Sequence, residues 1–221
     1  MRARGSPKKR TDSGHRTRVG RERRARTQQR IVAAALRVFA EKGPDAAVID
    51  DFIREAGVAR GTFYNYFTRT GDLLVAVTQA LEDDLIQSIN AEMSLLRDPV
   101  SRVATGVRLW LAWARDNPVG CAFIVRSRFR GPLVERQLTA DLRDGLDAGA
   151  FDFPDVRIAR DLVVGSVLEA MHRLLTPPVP RNYADGIVRM ILAGLGLDGS
   201  VTEEALKWPV PRLQRPVQSV G

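Results

Sequence analysis

Apolar positions recur at helical spacing along most of this chain, and nowhere alternate for more than a few residues. In "TQQRIVAAALRVFAEKG", Ile31, Ala34, Ala35, Val38 and Phe39 fall on one helix face, with Thr27 as an N-cap and Gly43 as a stop. A second, short helix over 49–56 carries Phe52 and Ile53 and ends at Gly57. A third, over 60–67, follows after only Gly57, Val58 and Ala59. Two short helices across a tight, glycine-containing turn form a helix-turn-helix pattern. Ile31, Val38, Phe39, Phe52, Val58, Phe63 and Phe67 are its predicted core.

Longer helices are predicted beyond this unit, over 72–96, 100–117, 133–148, 156–175 and 182–197, with Pro118 opening one more. Asp98-Pro99, Gly131-Pro132, "GAFDFPD" and "TPPVP" separate them. The last twenty or so residues are proline-rich and read as loosely held, with a short helix near 202–207. The expected fold is all-α. It divides into an arm (1–24), a three-helix unit (25–71), a larger helical domain (72–200) and a tail (201–221).

A chain of 221 residues is long enough to bury a proper core. Its one cysteine, Cys121, excludes an internal disulfide and reads as a small buried apolar residue. No run approaches the roughly 18 apolar residues of a membrane span. The basic N-terminus has no apolar stretch behind it either. These features predict a soluble, cytoplasmic protein with no membrane partner.

Charge changes the picture once it is located. The net charge is +8, yet residues 1–30 alone hold twelve Lys and Arg against Asp12 and Glu22. The remainder is therefore close to neutral. A segment so charged and so poor in apolar residues reads as a flexible arm. It is either a solubilising tail or, the stronger reading, a phosphate-neutralising one that gains affinity by releasing condensed counterions.

Catalytic patterns are missing. The two histidines, His15 and His172, are far apart in sequence, and no His/Cys set has metal-ligand spacing. There is no Gly-rich phosphate loop, G-x-S-x-G or H-E-x-x-H. The chain is not expected to be an enzyme or to hold a cofactor or metal. Helix 60–67 offers a different chemistry. Phe63 and Phe67 share its inner face, while Gly61, Thr62, Tyr64, Asn65 and Tyr66 occupy the opposite arc. Hydroxyls and an amide displayed this way suit base edges and phosphate oxygens.

The stretch "RIVAAALRVFAEKGPDAAVIDDFIREAGVARGTFYNYFTRTGDLL", residues 30–74, resembles the N-terminal DNA-binding domain of the TetR family of transcriptional regulators. The specific part is the "AGVARGTFYNYF" run. The resemblance implies a ligand-responsive homodimeric repressor on double-stranded DNA, released from a palindromic operator by a small-molecule effector. An activator, or a DNA binder without ligand gating, is the alternative with the same motif. Carried over by position, Arg60, Gly61, Thr62, Tyr64, Asn65, Tyr66, Arg69 and Thr70 are the implied DNA contacts. Two positions depart from the family pattern. Val48, after Ala47, replaces the usual Thr/Ser cap of the second helix, with Asp45 as a substitute cap one turn early. Thr70 replaces a common Lys. Segment 31–70 is itself neutral, so affinity is expected to lean on the arm, above all on Arg21, Arg23, Arg24 and Arg26.

In the larger domain, the apolar stripes of the last two long helices suit either an intramolecular core or a four-helix dimer interface. Leu162, Ser166, Ala170, Ile187, Met190, Ile191 and Gly194 are the candidate interface residues, and the resemblance favours the dimer. Trp110, Trp113, Phe123, Phe129, Met171 and His172 are candidates for lining an effector cavity. Each is also readable as plain core, and His172 as an interior or interface residue.

Overall fold

The structure, a computed structural model, describes residues 11–93, 96–127 and 132–210. The described residues form helices alone: α1 (Thr11–Lys42), α2 (Ile49–Ala56), α3 (Arg60–Tyr64), α4 (Thr70–Met93) and α5 (Pro99–Asp116), then α6 (Pro118–Ser127), α7 (Pro132–Asp147), α8 (Val156–Leu174), α9 (Tyr183–Gly194) and α10 (Gly199–Lys207). Among them no helix is long and apolar enough to cross a membrane.

The largest departure from the sequence reading is α1. The segment read as a flexible arm is already helix from Thr11, and only residues 1–10 lie outside the described part. Thr27 is therefore no cap; it sits inside the helix and its Oγ1 donates back to the Arg23 carbonyl at 3.0 Å. The cause is propensity. Arginine is among the better helix formers, and once 31–42 is packed, extending the helix upstream carries no new nucleation cost. Arg18 and Glu22, one turn apart, approach to 3.7 Å. High charge argued against an independent fold there, but not against a helix propagated from a packed one.

From Ile31 onward α1 buries its apolar stripe against α2, α4 and α6. Phe39 is the hinge of this packing. Its ring lies 4.9 Å from that of Phe52 on α2 and 6.1 Å from that of Phe123 on α6. The small N-terminal unit and the larger domain thus share one continuous core. Six of the seven predicted core residues of the N-terminal unit are buried, and Val58 is half-buried at the turn.

α5 is the axis of the larger domain and packs against α4 and α6 through α10. A tight junction fixes α4, α5 and α6 together. A Cβ on Gly120 would lie 2.7 Å from the Trp113 ring and 3.6 Å from Leu81 Cδ2, so only glycine lets the three helices meet there. The predicted loose tail begins later than residue 201. α10 packs on α5 and α9, and Arg108 of α5 donates to the Trp208 carbonyl at 2.6 Å while pairing with Asp185 of α9 at 3.0 Å. Residues 211–221 lie outside the described part.

The N-terminus of α2 shows how the missing cap is replaced. Val48 occupies the cap position without a side-chain hydrogen bond. Asp51, not Asp45, closes the turn: its carboxylate accepts the Val48 N–H at 3.2 Å while its own N–H donates to the Val48 carbonyl at 3.0 Å. The nearly buried carboxylate also accepts from Lys42 at 2.7 Å and Arg54 at 3.2 Å. The Lys42 hydrogen bond, then the Val48 N–H, hold its carboxyl below the usual value. Stability gained this way is present above an unfolded carboxylate pKa of about 3.9 and is lost as pH falls through the lower folded value. Urea midpoints of wild type and Asp51→Asn should therefore differ near neutrality and converge as pH drops below about 4.

Candidate nucleic-acid interface

α3 is shorter than its sequence pattern predicts. It ends at Tyr64, and Asn65 and Tyr66 continue in a turn held by N–H groups of Tyr66 and Phe67 donating to the Phe63 carbonyl at 2.9 and 3.1 Å. Gly57 makes the preceding turn possible. At φ 59° it stands in the left-handed region, where glycine is unstrained, and Val58 N–H then reaches back to the Ile53 carbonyl at 3.3 Å.

Inner and outer faces separate as the sequence predicts. Phe63 and Phe67 are buried with ring centres 6.3 Å apart. Gly61, Tyr64 and Asn65 are exposed, and Thr62 and Tyr66 half-exposed. Nothing lies within 4 Å of a Cβ added at Gly61, so the chain's own packing does not require glycine there. Arg60 is anchored at the head of α3 by Asp50 at 2.9 Å, with its guanidinium 5.9 Å from the centre of the Tyr64 ring. Arg69 is exposed, and half-buried Thr70 opens α4.

The helical form of 11–24 adds a wall that sequence reasoning missed. An open cleft of about 580 Å³ runs between the upstream half of α1 and the α2–α3 turn. Gly20, Arg23, Arg24, Thr27 and Arg30 form one side, and Gly57, Val58, Ala59, Thr62, Asn65 and Tyr66 the other. The guanidinium of Arg24 sits 5.6 Å from the centre of the Tyr66 ring, a cation–π distance. Thr27 and Arg30 were not candidates, yet 20, 23, 24, 27 and 30 share one helix face, a signal legible only once the segment is taken as helix. Arg21 and Arg26 are exposed but flank this face rather than line it. Three guanidiniums, three hydroxyls and an amide converge here, which suits an anionic backbone beside a set of base edges.

The candidates in the larger domain scatter. Trp113, Phe123 and Met171 are buried, with Trp110 half-buried against Trp113 at 6.1 Å. Phe123 belongs to the joint with α1, and Met171 backs Cys121, whose Sγ donates to its carbonyl at 3.4 Å. Burial pushes the Cys121 thiol up to about 11. His172 is exposed, 4.0 Å from Glu169, so the interior reading is corrected. Phe129 lies outside the described residues.

Two candidate interface residues are also corrected. Ala170 and Ile191 are sealed in the chain's own core, because the stripes of α8 and α9 face inward along that edge. Ser166 and Ile187 are half-buried. Gly194 serves the α8–α9 contact itself, since a Cβ there would lie 2.6 Å from Leu162 Cδ2. What α8 and α9 leave outward is Leu162, Met190 at 73% exposure and Ile158 at 61%. Ile158, one turn before Leu162, was not among the candidates.

The profile described as bacterial regulatory proteins, tetR family, matches residues 31–77. That of the tetracyclin repressor-like C-terminal domain matches 98–207. The HTH-type transcriptional regulator YvdT of Bacillus subtilis, itself uncharacterised, is 37% identical over 65 residues, which are 29% of this chain and 34% of that protein. The chain thus aligns with only about a third of YvdT's length. Among solved structures, ligand-free RolR superposes with a TM-score of 0.65 at 24% identity, covering 85% of this chain and 100% of that one. FadR from Bacillus subtilis in complex with stearoyl-CoA gives 0.62 at 19%, covering 75% and 98%. At these identities the likeness to solved structures is one of fold.

Asn65 stands exposed beside α3 while Phe63 is sealed in the core, and stability should register the difference. Asn65→Ala should shift unfolding free energy by less than about 0.5 kcal/mol, whereas Phe63→Ala should cost about 3–5 kcal/mol, both measured by urea denaturation. The helix-turn-helix geometry, the all-α body behind it and the two profiles that cover its halves lead to one conclusion: the chain belongs to the TetR family of transcriptional regulators, which are not enzymes.

Proposed function

We propose that this regulator is a cytoplasmic, homodimeric, ligand-responsive repressor that binds a palindromic double-stranded operator and is released from it by a small-molecule effector. The observation that carries the DNA-binding part is the cleft. It sets Arg23, Arg24 and Arg30 on a rigid helix beside exposed Asn65 and half-exposed Thr62 and Tyr66. Cations on one wall would hold phosphates while α3 lies in the major groove, with Arg60, Tyr64 and Asn65 toward base edges. Arg21, Arg26, Arg69 and Thr70 would contact flanking phosphates.

Dimerisation is supported by the outward apolar strip of Ile158, Leu162 and Met190 on two adjacent long helices. A copy related by a two-fold axis would cover it with the same strip, as a four-helix contact. Residues 11–71 would serve as the DNA-binding unit and the body from α4 onward as the effector and dimer unit. RolR has been solved in complex with resorcinol and FadR with stearoyl-CoA, which supports an effector site in the same fold here. α4 leads from Thr70, directly after the recognition turn, into the larger domain, so an effector displacing α4 would respace the two α3 helices. Successive major grooves repeat at about 34–36 Å, and a shift of a few ångströms would break the match.

Light scattering on wild type should give about twice the 24.5 kDa chain mass. Met190→Glu should move the protein toward monomer and weaken operator binding, because paired binding is lost. Replacing Arg23 and Arg24 by Ala in the dimer should reduce the slope of log K against log salt by about 2. A monomeric wild type at micromolar concentration, or an unchanged slope, would contradict the reading.

A further inference from the structure

Thr105 on α5 is 1% exposed, and its hydroxyl has no hydrogen-bond partner. A threonine inside a helix commonly bonds back to a carbonyl of the preceding turn; this one does not. One turn earlier, Arg102 pairs through a terminal nitrogen with Asp141 of α7, while its buried Nε has no hydrogen-bond partner. Asp141 is itself 4% exposed and accepts a further bond from Gln137 at 2.9 Å. Burial pushes its carboxyl up from the usual value, with Gln137 and Arg102 opposing. A purely structural tie between α5 and α7 would use the ion pair and leave no polar group over. Here two buried donors, three residues apart on α5, remain unused, and such groups are costly to leave unmade.

Their place in the fold says what they serve. Arg102, Thr105, Gly106, Leu109 and Trp113 recur at three- and four-residue spacing and so share one face of α5. One edge of that face reaches α7 through Asp141. The other reaches α4, where a Cβ on Gly106 would come 3.7 Å from Met93 Cε and where Trp113 covers Gly120 beside Leu81. The face thus lies between α7 and the helix that runs back to the recognition turn. It passes from polar at Arg102 and Thr105 to the buried, mostly apolar Leu109 and Trp113.

We propose that Arg102 and Thr105, backed by Asp141, form the polar end of the effector site, and that the effector is a small, uncharged, mostly apolar molecule presenting a hydroxyl or carbonyl oxygen to them. The proposal rests on the ligand-responsive reading above. The two open donors, Arg102 Nε–H and the Thr105 hydroxyl, call for an acceptor oxygen, and the Thr105 oxygen can accept a ligand hydroxyl in return. Arg102 and Asp141 already neutralise each other, so a charged ligand would bring an uncompensated charge into the interior. Leu109 and Trp113 continue the same face and suit an apolar body.

The test titrates the full-length protein with phenol, benzyl alcohol and acetophenone as uncharged oxygen-bearing probes, and with toluene and benzoate as controls, following tryptophan fluorescence. The oxygen-bearing probes should saturate, and toluene and benzoate should bind at least about tenfold more weakly. Thr105→Val, which keeps the volume and removes the hydroxyl, should weaken the oxygen-bearing probes by about fivefold to tenfold and leave toluene unchanged. Its Tm without probe should equal or exceed that of wild type, which separates a binding effect from misfolding. Unchanged affinity in Thr105→Val, benzoate binding more tightly than phenol, or saturation by no oxygen-bearing probe would overturn the site. Operator release is read separately. Probe binding that depends on Thr105 but leaves the protein on DNA supports the site and refutes ligand gating, whereas release that ignores Thr105→Val does the reverse.

Discussion

The contact on which the molecule depends is that of Phe39 with Phe52 on one side and Phe123 on the other. Through it α1 is packed at once against the helix-turn-helix and against α6, so the two halves share one core instead of being joined by a linker. Aromatic pairs at these separations contribute about 0.5–1.5 kcal/mol beyond the area they bury. Their larger effect is geometric. With α1 fixed on both sides, its upstream half has a set direction, and Arg23, Arg24 and Arg30 are aimed along the face of α3 instead of being free to wander.

That arrangement explains how a neutral helix-turn-helix can serve a polyanion. Within 31–70 every cation is balanced by an acid, and several are tied down, as Arg60 is by Asp50 and Lys42 by Asp51. These ties shape the turn and hold side chains in place, at the expense of free positive charge. The free charge stands on the α1 extension, across the cleft. The larger domain reaches this assembly by two routes, α4 after the recognition turn and α6 against α1, and the Gly120–Trp113 junction locks both to α5. A ligand seated on α5 next to α4 would therefore act on the recognition helix through packed side chains.

Much of this was legible in the sequence, for identifiable reasons. Helices α2, α5 and α7 through α9 carry periodic apolar faces between proline and glycine breaks, and their predicted bounds fall within a few residues of those observed; α6 opens at Pro118 as predicted. Phe63 and Phe67 at i, i+4 fixed the inward face of α3. The α1 extension was misread because charge was weighed over arginine's helix propensity and over continuity with a packed helix. α3 ends early because Tyr66 and Phe67 turn back onto the Phe63 carbonyl, which no pattern of apolar residues reports. In α8 and α9 the spacing marked the apolar stripes but not which edge meets the chain's own core. Ala170 and Ile191 went inward while Ile158 stayed outside, a choice made by α5 and α6 rather than by the helices themselves. Asp141 lies too far from Arg102 and Thr105 in sequence for its pairing with Arg102 to be read at all.

The central claim is that the face of α3, braced by the α1 cleft, reads sequence as one of a symmetric pair. Selection of binding sites from random duplex DNA with purified protein at near-physiological salt tests it most directly. The account predicts one enriched palindrome with half-site centres about one helical turn, roughly 10 base pairs, or a small multiple of it apart. No enriched sequence, with binding that vanishes steeply as salt rises, would contradict it and leave α1 as a sequence-blind phosphate clamp.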